Sequence, residues 1–229
     1  MTTYGTVELP EVTLNYGESG PPDGPPLVLL HALGERSLDW AGVLPELAPA
    51  HHVFALDLRG HGDSGRPGRY GLVEMRDDVL AFLDALGLER VDLVGHSMGG
   101  VVAYLVAQER PGRIRRLVLE DVPAPHPRPA SRVADAPDGP VHFDWAVVKA
   151  VKGQVDTPDP RWLERLAAIT APTLIVAGGS ASHVPQGGIA EMAVRIPDCR
   201  VVTIEAGHLV HQARPAEFVA AVAPFLGAA

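Results

Sequence analysis

The sequence contains one cysteine, Cys199, among its 229 residues. A single cysteine cannot form an internal disulfide, so the cysteine content gives no sign of an oxidising compartment. Basic residues are also scarce, since 19 Lys and Arg stand against 28 Asp and Glu and give a formal net charge of −9. Nucleic acids and anionic membranes are recognised by clustered basic residues. We therefore expect neither as a partner.

Long apolar runs are missing as well. No stretch approaches the roughly 20 consecutive apolar residues needed to span a bilayer. Residues 1–19 have neither the basic start nor the apolar run of a secretion signal, so the expected location is the cytoplasm. A chain of this length with 46% hydrophobic residues can bury a sizeable core. We expect a monomer or a homodimer.

The sequence does contain a regular alternation of apolar strands and helices. Because the strands are continuously apolar, they indicate a mostly parallel sheet covered by helices on both faces. The first two strands are expected to form an antiparallel edge. The predicted strands cover residues 6–9, 12–16, 27–30, 52–58, 91–94, 117–119, 173–177 and 200–204, and the predicted helices cover 72–86, 98–109, 161–169, 189–196 and 215–226.

Residues 122–140 interrupt this alternation with six prolines and little periodicity, which is typical of irregular chain. The prediction is therefore an α/β fold with an eight-stranded sheet, built as a single domain over residues 1–229. A short lid insertion is expected at about residues 122–160.

The strongest motif spans residues 95–99, which read GHSMG and match G-x-S-x-G. It lies directly after a predicted strand and directly before a predicted helix, where a serine is exposed on a tight turn. Gly95 and Gly99 remove side chains that would clash with this turn, and the helix N-terminus offers N–H groups beside any oxyanion. The motif predicts Ser97 as a nucleophile.

A serine hydroxyl is a poor nucleophile unless a base takes its proton. Among the 10 histidines, His208 follows the last predicted strand and precedes the terminal helix. Because the carboxyl ends of parallel strands meet at one edge of the sheet, His208 should arrive near Ser97. His211, three residues later, is the alternative. We predict that His208 is the base.

Several segments together resemble the α/β-hydrolase superfamily, in the branch of small esterases, lactonases, C–C hydrolases, haloalkane dehalogenases and epoxide hydrolases. The resemblance implies the α/β-hydrolase fold and an oxyanion hole made by the backbone N–H groups of Leu33 and Met98. Members usually have glycine where this chain has Ala32. The segments are residues 31–34 (HALG), 57–64 (DLRGHGDS), 95–100 (GHSMGG) and 207–208 (GH).

The resemblance also implies an acid that orients the histidine. In most members the acid follows the seventh strand in the pattern Gly-x-x-Asp-x-x-x-Pro, but Ala181 occupies its position here. Some members take the acid from the end of the sixth strand, about two dozen residues after the nucleophile. Asp121 lies 24 residues after Ser97, and Glu120 is the alternative. Adjacent residues of a strand point to opposite faces, so only one of them can reach His208, and we favour Asp121.

The resemblance implies hydrolysis of a small-molecule carboxylic ester or lactone through an acyl-enzyme. C–C bond hydrolysis or perhydrolysis by the same residues, and a ligand receptor without catalysis, are the alternatives. Dehalogenases and epoxide hydrolases need a carboxylate as the nucleophile. The turn at residues 95–99 has a serine there, which argues against their chemistry. Phe143 and Trp145, in the lid insertion, are expected either to line the substrate pocket or to pack the lid onto the body. The sequence has no metal-ligand cluster and no phosphate-binding loop, so neither a metal nor a cofactor is expected.

Overall fold

A computed structural model describes residues 1–227. It contains a sheet of eight strands with helices on both sides, which confirms the predicted fold class. The strands are β1 (Thr3–Glu8), β2 (Thr13–Ser19), β3 (Pro26–Leu30), β4 (His52–Leu56), β5 (Val91–His96), β6 (Ile114–Glu120), β7 (Thr173–Ala177) and β8 (Cys199–Thr203). The helices are α1 (Leu44–Leu47), α2 (Leu72–Ala85), α3 (Met98–Glu109), α4 (Ala146–Asp156), α5 (Pro160–Glu164), α6 (Gln186–Arg195), α7 (Val210–Ala213) and α8 (Pro215–Phe225).

The strand order across the sheet is β1-β2-β4-β3-β5-β6-β7-β8. The pairs β1–β2 and β2–β4 are antiparallel, and every pair from β4 through β3 to β8 is parallel. Because β3, β5, β6, β7 and β8 run in one direction, the loops at their carboxyl ends lie along one edge of the sheet. All the predicted polar site residues lie on these loops or directly after these strands.

Each face of the sheet is covered by its own apolar cluster. Strand β3 contributes to both, since Val28 and Leu30 pack with α2 and α3 while Leu27 and Leu29 pack with Trp40 and α8. Alternate side chains of a strand point to opposite faces, and all four of these β3 residues are fully buried. This explains why the strand has no polar position. No helix within residues 1–227 is long and apolar enough to cross a bilayer.

Some element boundaries differ from the predicted ones. Strand β6 begins at Ile114, three residues earlier than predicted, because Arg115 reaches back to the buried Asp92 and so tolerates a place in the strand. Within the insertion between β6 and β7, residues 146–156 form α4, for which no helix was predicted. Its buried residues Val147 and Val151 are one helical turn apart and join the core.

The turn between β5 and α3 is sterically tight. Ser97 has φ 50° and ψ −113°, a backbone conformation that residues other than glycine rarely adopt. A Cβ atom on Gly95 would lie 2.4 Å from the carbonyl oxygen of Gly99, and a Cβ on Gly99 would lie 2.3 Å from that of Leu30. Gly95 is therefore required for the turn to pack against the start of α3, and Gly99 for α3 to pack against the end of β3.

We expect Gly99→Ala to lower the free energy of unfolding by about 1–3 kcal/mol or more, because its methyl group meets backbone that cannot move freely. Gly153→Ala is the matched control, since Gly153 lies inside α4 with open space around it. There alanine should raise the free energy of unfolding by up to about 1 kcal/mol. Urea unfolding measures both, and a Gly99→Ala variant as stable as the wild type would contradict the tight turn.

Candidate active site

The loops at the carboxyl edge of the sheet bring together Ser97, Asp121 and His208. Ser97 follows β5, Asp121 follows β6, and His208 lies in the loop after β8. Within residues 1–227, Ser97 and Asp121 are the two non-glycine residues with positive φ, at 50° and 45°. Such strained residues persist only where the surrounding structure holds them, and they concentrate at functional sites. The strain therefore marks the same two residues that the sequence motifs single out.

The side chains of Asp121 and His208 form a hydrogen bond. His208 Nδ1 lies 2.7 Å from Asp121 Oδ2, where the ring N–H donates to the carboxylate. The Asp121 side chain is fully buried, while 18% of the His208 side chain is exposed. A neutral imidazole with its proton on Nδ1 has a free lone pair on Nε2. The pair therefore leaves His208 Nε2 available as a base.

The loop after β7 has no carboxylate but supplies two donors to Asp121. Gly178 N–H donates to Asp121 Oδ1 over 2.9 Å, and the Ser182 hydroxyl donates to Oδ2. Burial alone would raise the pKa of the Asp121 carboxyl, yet the hydrogen bonds from His208, Ser182 and Gly178 hold it below its ordinary value. Ser182 directly follows Ala181, the residue in the position where the family pattern has its acid. Its role was not predicted, and a hydroxyl beside the missing acid was the available sequence signal.

The alternative residues Glu120 and His211 form a second pair. Glu120 Oε1 accepts the backbone N–H of His211 over 2.8 Å, and the His211 ring nitrogen Nδ1 lies 2.8 Å from Glu120 Oε2. Both side chains are buried, and the His211 ring stacks on Trp40 with 4.2 Å between ring centroids. Glu120, the last residue of β6, and Asp121, directly after it, thus reach two different histidines.

A buried ion network connects the loops after β3, β5 and β8. The His96 ring donates from Nε2 to the backbone carbonyl of His208 over 2.9 Å, and its Nδ1 lies 3.2 Å from Glu35 Oε2. Glu35 Oε2 also accepts the backbone N–H of Ala32 over 3.0 Å. His96 therefore joins the loop that carries His208 to the loop that carries Leu33. Sequence reasoning missed this contact, because Glu35 and His96 are 61 residues apart.

The charges in this network stabilise one another. Burial alone would lower the pKa of His96, but the carboxylates of Glu120 and Glu35 raise it to about 9. Burial would likewise raise the pKa of Glu35, but His96 and the Ala32 N–H lower it to about 2. His96 is consequently a buried cation between two carboxylates at neutral pH.

Three of the buried residues, His96, Glu120 and His211, have potential metal-ligand atoms within 4.8 Å of one another. Both ring nitrogens of His96 are already engaged, one with the His208 carbonyl and one with Glu35. The carboxylate of Glu120 is engaged by His211. The trio is a hydrogen-bonded charge network without free ligand atoms on His96, so its donor set does not fit a metal.

A cavity of about 310 Å³ opens above Ser97 and His208. Leu33 and Met98 line it, and Met98 is the first residue of α3, so its N–H has no carbonyl partner within the helix. The rest of the apolar lining comes from Ala32, Val101, Pro123, Val151, Val155, Val184 and Leu209. The size and mostly apolar lining are typical of a site for a small molecule.

Phe143 and Trp145 do not line this cavity. Phe143 stacks on His61 with 5.7 Å between ring centroids and on Trp145 with 5.6 Å. A Cβ atom on Gly34 would lie 3.2 Å from the Phe143 ring, so this aromatic packs the insertion against the loop after β3. Of the two roles expected for these aromatics, the structure places them in the packing role.

Comparisons with known proteins agree with the fold. The sequence model of the family described as alpha/beta hydrolase fold matches residues 25–147. The chain is similar to epoxide hydrolase 2 of Caenorhabditis elegans, with 34% identity over 52% of this chain and 34% of that protein. It is also similar to 2-hydroxymuconate semialdehyde hydrolase of Pseudomonas sp. (strain CF600), with 41% identity over 47% of this chain and 39% of that protein. The chain thus spans well under half the length of these curated relatives.

Among solved structures, an N-acyl homoserine lactone degrading enzyme superposes with a TM-score of 0.82 and 26% identity. This match covers 96% of this chain and 100% of the other chain.

The raised pKa of His96 predicts how stability depends on pH. Between the ordinary histidine value of 6.5 and about 9, the folded protein holds a proton on His96 that the unfolded chain has released. The free energy of unfolding should therefore fall as pH rises from about 7 to about 8.5, by at most about 1.4 kcal/mol per pH unit for this proton. His96→Gln should remove this slope.

The control is His142→Gln, since His142 is exposed and lies outside the network. It should keep the slope of the wild type in the same urea titrations. An unchanged slope in His96→Gln would show that His96 is not the buried cation.

Proposed function

The chain belongs to the α/β-hydrolase fold family, and from that premise we propose that it is a serine hydrolase that cleaves a small carboxylic ester or lactone through an acyl-enzyme. The observation that carries the proposal is the strained Ser97 on the wall of a cavity that His208 also lines, with His208 held by a buried carboxylate. Activation of a serine by a histidine that a third group orients is the recurring arrangement of such enzymes.

In the proposed reaction, Ser97 Oγ attacks the carbonyl carbon while His208 Nε2 takes the hydroxyl proton. The bond between the carbonyl carbon and the leaving oxygen breaks, and His208 returns the proton to that oxygen. Water then attacks the acyl-enzyme by the same route and releases the acid and free Ser97. Asp121 keeps the proton of neutral His208 on Nδ1 and stabilises the imidazolium without being protonated itself, which its lowered pKa favours.

The developing oxyanion needs donors that are already in place. The backbone N–H groups of Leu33 and Met98, which line the cavity beside Ser97, are the proposed donors. A donor of this kind contributes about 3–4 kcal/mol to transition-state stabilisation. The ion network through Glu35 and His96 would keep the Leu33 loop at a fixed distance from the His208 loop.

The second candidate is hydrolysis of a C–C bond next to a carbonyl group by the same residues. The likeness to 2-hydroxymuconate semialdehyde hydrolase favours it, while the likeness to the N-acyl homoserine lactone degrading enzyme favours ester and lactone cleavage. Turnover of a panel of aryl esters, lactones and vinylogous β-diketones separates the two activities.

The nucleophile can be tested by covalent labelling. A fluorophosphonate probe should label the wild-type protein at Ser97, and Ser97→Ala should abolish the labelling while the circular dichroism spectrum stays the same. The turn between β5 and α3 places Ser97 on the cavity wall beside His208. Serines without an activating base react poorly with such probes, so Ser97 should account for the labelling. Undiminished labelling of Ser97→Ala would place the nucleophile elsewhere.

The two histidine–carboxylate pairs give opposite expectations for catalysis. His208→Ala and Asp121→Asn should each reduce kcat on an aryl ester by about 10⁴, the second because asparagine favours the wrong imidazole tautomer. His211→Ala is the comparison, since His211 is bonded to Glu120 and does not line the cavity. Its main effect should be on stability, measured by thermal unfolding. A larger loss of kcat in His211→Ala than in His208→Ala would reverse the assignment.

A further inference from the structure

The charged residues around the cavity are unusual for an acidic protein. The formal net charge of the chain is −9, yet Arg128 and Lys152 both line the cavity. The one carboxylate in the lining, Glu35, is paired with the His96 cation. Arg128 is paired with Asp156, so among the described residues of the lining Lys152 carries the charge without a carboxylate partner, and that charge is positive. Cavities with one sign of charge attract small ligands of the opposite sign.

A buried carboxylate orients the guanidinium of Arg128. Arg128 Nε donates to Asp156 Oδ1 over 2.6 Å, and the backbone N–H of Arg128 donates to the Asp156 carbonyl over 2.9 Å. The Ser131 hydroxyl donates to the same carboxylate, and Asp156 is 4% exposed. Neither Nη group of Arg128 donates to a protein acceptor within residues 1–227. A guanidinium fixed through Nε keeps two parallel N–H donors for a planar anion.

Arg128 lines the same cavity as the proposed catalytic residues Ser97 and His208. Burial, His208 and Arg128 together lower the pKa of His183, which also lines the cavity. The ring of His183 lies 4.2 Å from the ring of His208, measured between centroids. Arg128, Ser97 and His208 line the same cavity, so a small substrate in it can contact both Arg128 and the proposed catalytic residues.

Lys152 adds a second cation. The chain has two lysines, Lys149 and Lys152, and both lie on α4. Lys152 is half-buried and lines the cavity, whereas Lys149 is exposed and does not. Lys152 Nζ donates to the backbone carbonyl of Arg132 over 3.3 Å, and within residues 1–227 no carboxylate forms an ion pair with it. A half-buried ammonium without a counterion is stabilised by a bound anion.

We propose that this cavity binds substrates that carry a carboxylate, held by the Nη groups of Arg128 with Lys152 beside them. The substrate class is then a small ester or lactone whose acyl part has an apolar stem and an anionic end. The stem contacts the valines of the cavity, and the ester carbonyl reaches Ser97. The inference rests on the proposed function for the position of the reacting carbonyl, but not for the binding of the anion.

The test compares two ligands with one carbon skeleton, monomethyl glutarate, which is an anion, and dimethyl glutarate, which is neutral. Binding is measured by isothermal titration calorimetry on Ser97→Ala protein, which does not turn the ligands over. The monoanion should bind about tenfold or more tightly than the diester, because hydrogen bonds to charged groups contribute that much. Arg128→Gln in the Ser97→Ala background should reduce the ratio to near one, and Lys152→Gln should reduce it several-fold.

Lys149→Gln is the matched control and should leave the ratio unchanged, because Lys149 lies on the same helix outside the cavity. Arg128→Lys is a second variant that keeps the positive charge but not the two parallel N–H donors of the guanidinium. It should retain part of the preference for the monoanion. Each variant is checked for its thermal unfolding midpoint. Equal binding of the two ligands, or a monoanion preference that survives Arg128→Gln and Lys152→Gln, would overturn the proposal.

Kinetics on the wild-type protein separate this inference from the proposed function. Turnover of the diester without a preference for the monoanion would support the proposed serine hydrolase and contradict the proposed anion site. The opposite result is binding of the monoanion that depends on Arg128, with no turnover of either ligand and no labelling of Ser97. That result would support the anion site and contradict the proposed hydrolase. The two proposals therefore fail in different experiments.

Discussion

The geometry of the site depends on the contacts that the buried, charged ring of His96 makes with Glu35 and with the His208 carbonyl. The ring links the carbonyl of His208 to the carboxylate of Glu35, and Glu35 in turn binds the backbone N–H of Ala32. Removing one member of a buried ion pair leaves the other charge without compensation, which typically costs about 3–5 kcal/mol. The loop with the proposed base and the loop with a proposed oxyanion donor are therefore fixed relative to each other by electrostatics, with the residue next to Ser97 as the link.

The end of β6 shows how one strand can serve two histidines. Glu120 ends β6 and bonds to His211, while Asp121, the next residue, bonds to His208. The positive φ of Asp121 turns its carboxylate towards the loop after β7, whose Gly178 and Ser182 complete its hydrogen bonds. A loop that lost the carboxylate position of the family pattern thus still contributes, by holding an acid that comes from the neighbouring strand.

The sequence was most informative where a local pattern decides the structure. The bounds predicted for α3 and β7 agree with the structure, because each is a continuous apolar run that ends at a glycine turn or a proline. The rule that parallel strands end at one edge predicted His208 near Ser97, and the family resemblance indicated Asp121 as the acid at that edge. The ion network did not follow, because nothing local couples Glu35 to a histidine 61 residues away. Helix α4 was hidden by the proline-rich segment before it, and the packing of Phe143 depends on a contact with His61 that only the folded chain creates.

The insertion between β6 and β7 is small, but it is fastened to the body at several points. The Tyr70 hydroxyl donates to Asp144 over 2.6 Å, and Gln154 accepts the backbone N–H of Leu72 at the start of α2 over 2.8 Å. Val151 of α4 is buried in the core and also lines the cavity. Helix α4 therefore carries both a core residue and Lys152, and its last residue, Asp156, orients Arg128. These contacts tie Arg128 and Lys152 to the same framework that holds Ser97. The fold therefore sets the distance between the proposed anion-binding groups and the proposed nucleophile, and that distance would select substrates by length as well as by charge.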